Sequence, residues 1–138
     1  MTKLLLLAFL LLPTLSFSQI SATELRDSCS VLVKFAKTPV DELSARDAAT
    51  SGLCMGYFKG FMSAVQGSVT EPDADGHIKQ FNIKDGTTFN QGIGAFLALV
   101  RERPEFLKQD VGVVINAALL ASGLATLESK PVTYVKKR

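Results

Sequence analysis

The run Gly52-Leu53-Cys54-Met55-Gly56-Tyr57-Phe58-Lys59-Gly60-Phe61-Met62-Ser63-Ala64-Val65 constrains the fold more than any other stretch. Read as a helix, it places Ala45, Ala49, Gly52, Gly56, Gly60 and Ala64 at spacings of three and four, one stripe of residues with almost no side chain. Each interior glycine costs a helix roughly 0.5–1 kcal/mol relative to alanine. The cost predicts compensation by close packing, either against a neighbouring helix of the same chain or against a second subunit. Gly56→Leu is therefore expected to lose folding or dimerisation rather than partner binding alone.

The chain around this segment reads as helices separated by strong punctuation. Ser21-Ala22-Thr23-Glu24 is a capping box that opens a first helix running to about Ala36, with Leu25, Cys29, Leu32, Phe35 and Ala36 on its buried face. Thr38-Pro39 ends it, because the proline ring disfavours helical geometry in the residue before it. Ser44 caps a second helix that extends to about Gln66, roughly 35 Å at 1.5 Å per residue, with Gly67 as its stop. Cys54, Tyr57, Phe58, Phe61 and Val65 are expected on or beside the small-residue stripe.

Residues 68–87 are polar and turn-forming, with Glu71-Pro72-Asp73-Ala74-Asp75-Gly76-His77 followed by a short apolar piece at Phe81 and Ile83. So long a connection in a compact domain calls for a functional explanation. Thr88 and Gln91 then cap a third helix carrying Ile93, Phe96, Leu97 and Val100, which Pro104 ends. Asp110 caps a fourth, with Val111, Val114, Ile115, Ala118 and Leu119 on its apolar face and Gly123 as its stop. From Glu128 the chain is polar and closes on Lys136-Lys137-Arg138, which reads as a solvated tail. With no strand alternation of useful length, the expected fold is all-α: four principal helices and one disulfide.

Export decides how the two cysteines are read. Lys3, the apolar run Leu4 to Leu12, Pro13 and the small residues of Ser16-Phe17-Ser18 form a secretory leader, with cleavage expected after Ser18. A membrane span needs about 20 apolar residues, and this run stops well short of that. The expected organisation is thus a leader over 1–18, a helical domain over 19–127 and a tail over 128–138. In an oxidising compartment Cys29 and Cys54 are expected to pair, closing a loop worth about 3 kcal/mol. A catalytic thiol would instead need a basic partner, and His77 is the single histidine.

The remaining chemistry is sparse. The formal net charge of +2 falls by one when Lys3 leaves with the leader, so nothing points to nucleic acid. His77 has no histidine or cysteine beside it, and Asp73, Asp75 and Asp85 lack the spacing of a calcium loop, so no metal or cofactor is expected. Gly92-Ile93-Gly94 follows no strand and is no dinucleotide fingerprint. Lys59 and the charged flanks keep the Gly52, Gly56, Gly60 pattern from being a membrane dimer motif. No set of groups able to act together is visible, so the chain is expected to bind or chaperone rather than catalyse.

The order of these features resembles the Rap/Tai family of immunity proteins. Its marks are the leader, an early helical cysteine, Leu53-Cys54-Met55-Gly56-Tyr57-Phe58-Lys59-Gly60, then Phe89 to Val100 with Arg103-Pro104-Glu105, then Ile115-Asn116-Ala117-Ala118-Leu119. The resemblance spans roughly residues 27–121. Many members carry a second cysteine pair, where this chain has Phe81-Asn82-Ile83 and Ala121-Ser122-Gly123. It implies a periplasmic, mostly helical, often homodimeric protein that blocks a peptidoglycan amidase effector of type VI secretion by filling its cleft. The loop bearing Glu71, Asp73, Asp75 and His77 is then the expected insert, and the Arg101 to Asp110 connection the competitor. A small exported helical protein with one disulfide also fits an acid-stress chaperone of the HdeA type or another binding partner in an envelope complex.

Overall fold

The computed structural model describes residues 19–42 and 44–132. The leader expected over 1–18, residue 43 and residues 133–138 lie outside them. The element order is α1 (Ala22–Phe35), α2 (Ala45–Val65), β1 (His77–Ile83), α3 (Phe89–Glu102), α4 (Val111–Ala121) and β2 (Ala125–Pro131), with a 3-10 turn at Pro104–Lys108 between α3 and α4.

Each helix begins where its cap chemistry requires. The Ser21 N–H donates to Glu24 Oε2 at 2.8 Å and the Glu24 N–H to Ser21 Oγ at 3.2 Å, so two otherwise orphaned donors are satisfied reciprocally. Thr88 and Gln91 repeat the arrangement at α3, at 2.8 and 3.3 Å. The Asp47 N–H donates to Ser44 Oγ at α2, and Asp110 Oδ1 accepts from the N–H groups of Gly112 and Val113 at α4. Gly123, at φ 70°, follows α4 in the left-handed conformation that lets the chain reverse into β2.

The helices share one apolar core in which Leu25, Cys29, Cys54, Phe58, Phe96, Val114, Ile115 and Leu119 are fully buried. Phe58 and Phe96 meet edge to face, with centroids 5.7 Å apart, at the centre of this core. Cys29 and Cys54 form a disulfide that ties α1 to α2. Both thiols are used in it, so neither cysteine is free.

Two expectations are overturned. The fold is mixed α and β rather than all-α, because β1 and β2 form a two-stranded antiparallel sheet running from His77 opposite Pro131 to Ile83 opposite Ala125. The boundary placed before Glu128 therefore falls inside a strand, and Glu128 to Pro131 are not a loose tail. The second correction concerns α2. Its buried positions Ser51, Cys54, Phe58 and Met62 lie on the face away from the small-residue stripe. Gly52, Gly56 and Gly60 are exposed, and a Cβ added at any of them would meet nothing within 4 Å. No neighbouring helix of the described chain compensates for these glycines; Gly92 and Gly112 are the helical glycines that core side chains crowd.

Candidate functional site

The sheet is a ribbon anchored to the helices at one end only. Phe81 and Ala125 belong to the buried core, whereas Thr126 to Pro131 and both His77 and Lys79 are exposed. Along its second edge β1 is covered by residues 67–73, which return antiparallel to it. The Gly67 N–H donates to the Phe81 carbonyl at 2.9 Å and the Phe81 N–H to the Ser68 carbonyl at 2.8 Å. Further out, the Thr70 N–H donates to the Lys79 carbonyl at 2.9 Å, and the Asp73 N–H to the His77 carbonyl at 2.8 Å. The side chain of Gln66 accepts from the Ile83 N–H at 2.7 Å and closes the anchored end.

At the free end the chain turns through Asp73-Ala74-Asp75-Gly76. Asp73 starts this turn because a short carboxylate can accept from the backbone that follows it, and Gly76 ends it because φ is 72° there. Asp73 Oδ1 accepts from the His77 N–H at 2.8 Å and from the Asp75 N–H at 3.1 Å, while the Asp73 carbonyl accepts from the Gly76 N–H at 3.0 Å. The Val132 N–H donates to the Gly76 carbonyl at 3.0 Å and brings the end of β2 to the same place. The backbone hydrogen bond from His77 is the main reason the Asp73 carboxyl lies below its ordinary range, with the Asp75 N–H and the charges of His77 and Lys79 adding to it.

The four residues singled out in sequence, Glu71, Asp73, Asp75 and His77, are thus gathered at one exposed tip. They are not equivalent there. Asp73 holds the turn, whereas the carboxylates of Glu71 and Asp75 make no hydrogen bond or ion pair among the described residues. His77 Nδ1 lies 3.9 Å from Asp73 Oδ1. The competing connection between α3 and α4 is built differently. Its Phe106 and Leu107 pack on the core, and Arg103 is held by Glu105 at 2.9 Å and stacked 5.0 Å from the Phe106 ring centroid.

A polar sheet face escaped sequence reading. Gln80 and Asn82 of β1 share it with Thr126, Glu128 and Lys130 of β2, where Lys130 Nζ donates to Gln80 Oε1 and lies 3.5 Å from Glu128. The alternation of Phe81 and Ile83 was its faint signal. No group of three or more His, Cys, Asp or Glu side chains among the described residues could hold a metal ion. Among them also, no helix is long and apolar enough to cross a membrane. No protein-family model, curated protein or solved structure matches the chain. What the residues build is an acidic turn, held by its own hydrogen bonds, on the exposed end of a ribbon.

Proposed function

We propose that this chain is a periplasmic immunity protein whose ribbon tip enters and occludes the cleft of a peptidoglycan amidase effector. One observation carries the reading. The acidic segment Glu71 to His77 is presented at the exposed end of a ribbon and is fixed by its own backbone hydrogen bonds before any partner arrives. Tight occlusion needs such preorganisation, since a loop ordered only on binding would spend part of the interaction on its own entropy. The buried disulfide fits an oxidising compartment. Glu71 and Asp75 supply the charge that would meet basic groups at the toxin's cleft, and Asp73 supplies the shape.

The test separates these two roles. The mature chain is to be co-purified with any peptidoglycan amidase whose gene lies beside its own, and protection of peptidoglycan measured with that enzyme. Glu71→Ser with Asp75→Ser should weaken inhibition at least about tenfold, or 1.4 kcal/mol, while the tip amides keep their chemical shifts. Unchanged inhibition by that pair would transfer the binding role to the Arg101 to Asp110 connection. Absence of any complex and any protection would end the immunity reading.

A further inference from the structure

Among the described residues nothing pairs with the outer edge of β2, and the ladder shows which of its groups face outward. Just outside the paired region the Lys84 N–H donates to the Leu124 carbonyl at 2.9 Å, and the Val132 N–H to the Gly76 carbonyl at 3.0 Å. In an antiparallel pair the bonded positions alternate, so residues 126, 128 and 130 turn their backbone groups towards β1 and residues 125, 127, 129 and 131 turn theirs outward. The second edge of β1 is already occupied by residues 67–73. No described segment reaches the outward N–H and C=O groups of Leu127 and Ser129, and Leu127 is 48% exposed. Such an edge is a template for another strand.

We propose that a second copy of this chain pairs with β2, edge to edge, about a two-fold axis through Ser129. The register follows from charge and access. With the axis at Ser129, Glu128 of each copy lies opposite Lys130 of the other, giving two complementary cross-strand pairs. Ser129 then bonds Ser129 of the other copy through both backbone groups. The Leu127 N–H reaches the Pro131 carbonyl of the other copy, whereas Pro131 has no N–H and returns no bond to the Leu127 carbonyl. An axis at Glu128 would set two carboxylates face to face. An axis at Leu127 would bring the incoming strand against Ala125, which is buried at the helical body and 4% exposed. The interface uses neither the α2 glycines nor the acidic tip, and the two tips point in opposite directions. It is independent of the immunity reading.

Single cysteines placed at Leu127, Glu128, Ser129 and Lys130 of the mature chain test the register under mild oxidation. Facing residues in a bonded antiparallel pair have Cα atoms about 5.5 Å apart, within disulfide reach. Ser129→Cys should give covalent dimer fastest, well ahead of the other three. Fastest linkage at another position, or equal linkage at all four, would overturn the proposed pairing. Sedimentation of unlinked protein gives the second measurement. Glu128→Lys should weaken association at least tenfold, and adding Lys130→Glu should restore it. A monomer at every concentration up to the millimolar range, or a double variant no better than the single one, would refute the proposal.

Discussion

The helical body and the ribbon are stabilised by different physics. In the body, Phe58, Phe96, Leu25, Ile115, Leu119 and Val114 lose all contact with solvent, and a disulfide joins the two helices that precede the ribbon. The ribbon buries Phe81 and Ala125 in that core and packs Ile83 against it, and its outer part keeps its shape through backbone ladders and the Asp73 turn. Apolar burial is strong and indifferent to direction, so it makes a platform. Hydrogen bonds are weaker net but directional, so they can fix the geometry of a tip that must remain exposed. The two regions should therefore fail under different perturbations.

The largest expected effect is on the body. Phe58→Ala removes a fully buried ring that meets Phe96 edge-on and should cost about 3–5 kcal/mol in chemical denaturation, much of a small domain's stability. If hydrogen exchange showed the tip loosening before the core, the variant would have broken the separation between the regions rather than the body alone. Removing the disulfide as Cys29→Ala with Cys54→Ala comes next. It opens a loop with a sequence separation of 25 and should cost about 3 kcal/mol, again without changing the tip's amide shifts in the folded state.

Glycines sharpen the contrast inside the body. A Cβ at Gly92 would lie 2.9 Å from Met62 Sδ and 3.5 Å from Phe58, so Gly92→Ala should destabilise by about 1–3 kcal/mol unless Met62 swings aside. Gly56→Ala meets open space and should stabilise by about 0.5–1 kcal/mol through helix propensity. Gly56→Leu, expected from sequence to lose folding or dimerisation, should leave the folded monomer intact for the same reason. Thermal melts of the three variants check the order; a destabilised Gly56→Ala would mean that the stripe is covered in solution.

That glycine result marks where sequence stops being informative. Spacing showed that Gly52, Gly56 and Gly60 share a face, and it could not show that the face points outward. The opposite stripe of Cys54, Phe58 and Met62, at intervals of four, held that answer. The helices were legible because caps are local: Ser21 with Glu24, Thr88 with Gln91, and Asp110 each act within one turn. The disulfide was legible because only two cysteines exist. The sheet was not, because β1 and β2 are separated by α3 and α4, and β2 has one exposed leucine among polar residues where an apolar alternation would mark a strand. The acidic loop could be singled out by length and composition, whereas Asp73's part in the turn emerges only when His77 and Asp75 are seen donating to it.

The smallest effect belongs to the tip and is read by pH. The folded-state pKa of Asp73 is depressed, so its contribution to the turn is fully present above the unfolded value, about pH 4, and is lost as pH falls through the lower folded value. Asp73 is exposed, which makes the change local. The amide protons of Asp75 and His77 should shift together across that window, because both donate to the carboxylate that is being protonated. Asp73→Asn keeps an acceptor but cannot titrate there, so its amide shifts should stay flat, and Asp73→Ala should loosen the turn at every pH. The body, whose core holds no ionised side chain, should remain compact as the tip loosens. Expansion of the whole chain at pH 2–3, with exposed apolar surface and binding of unfolded clients, would erase the difference between the two regions and favour the acid-chaperone reading over occlusion.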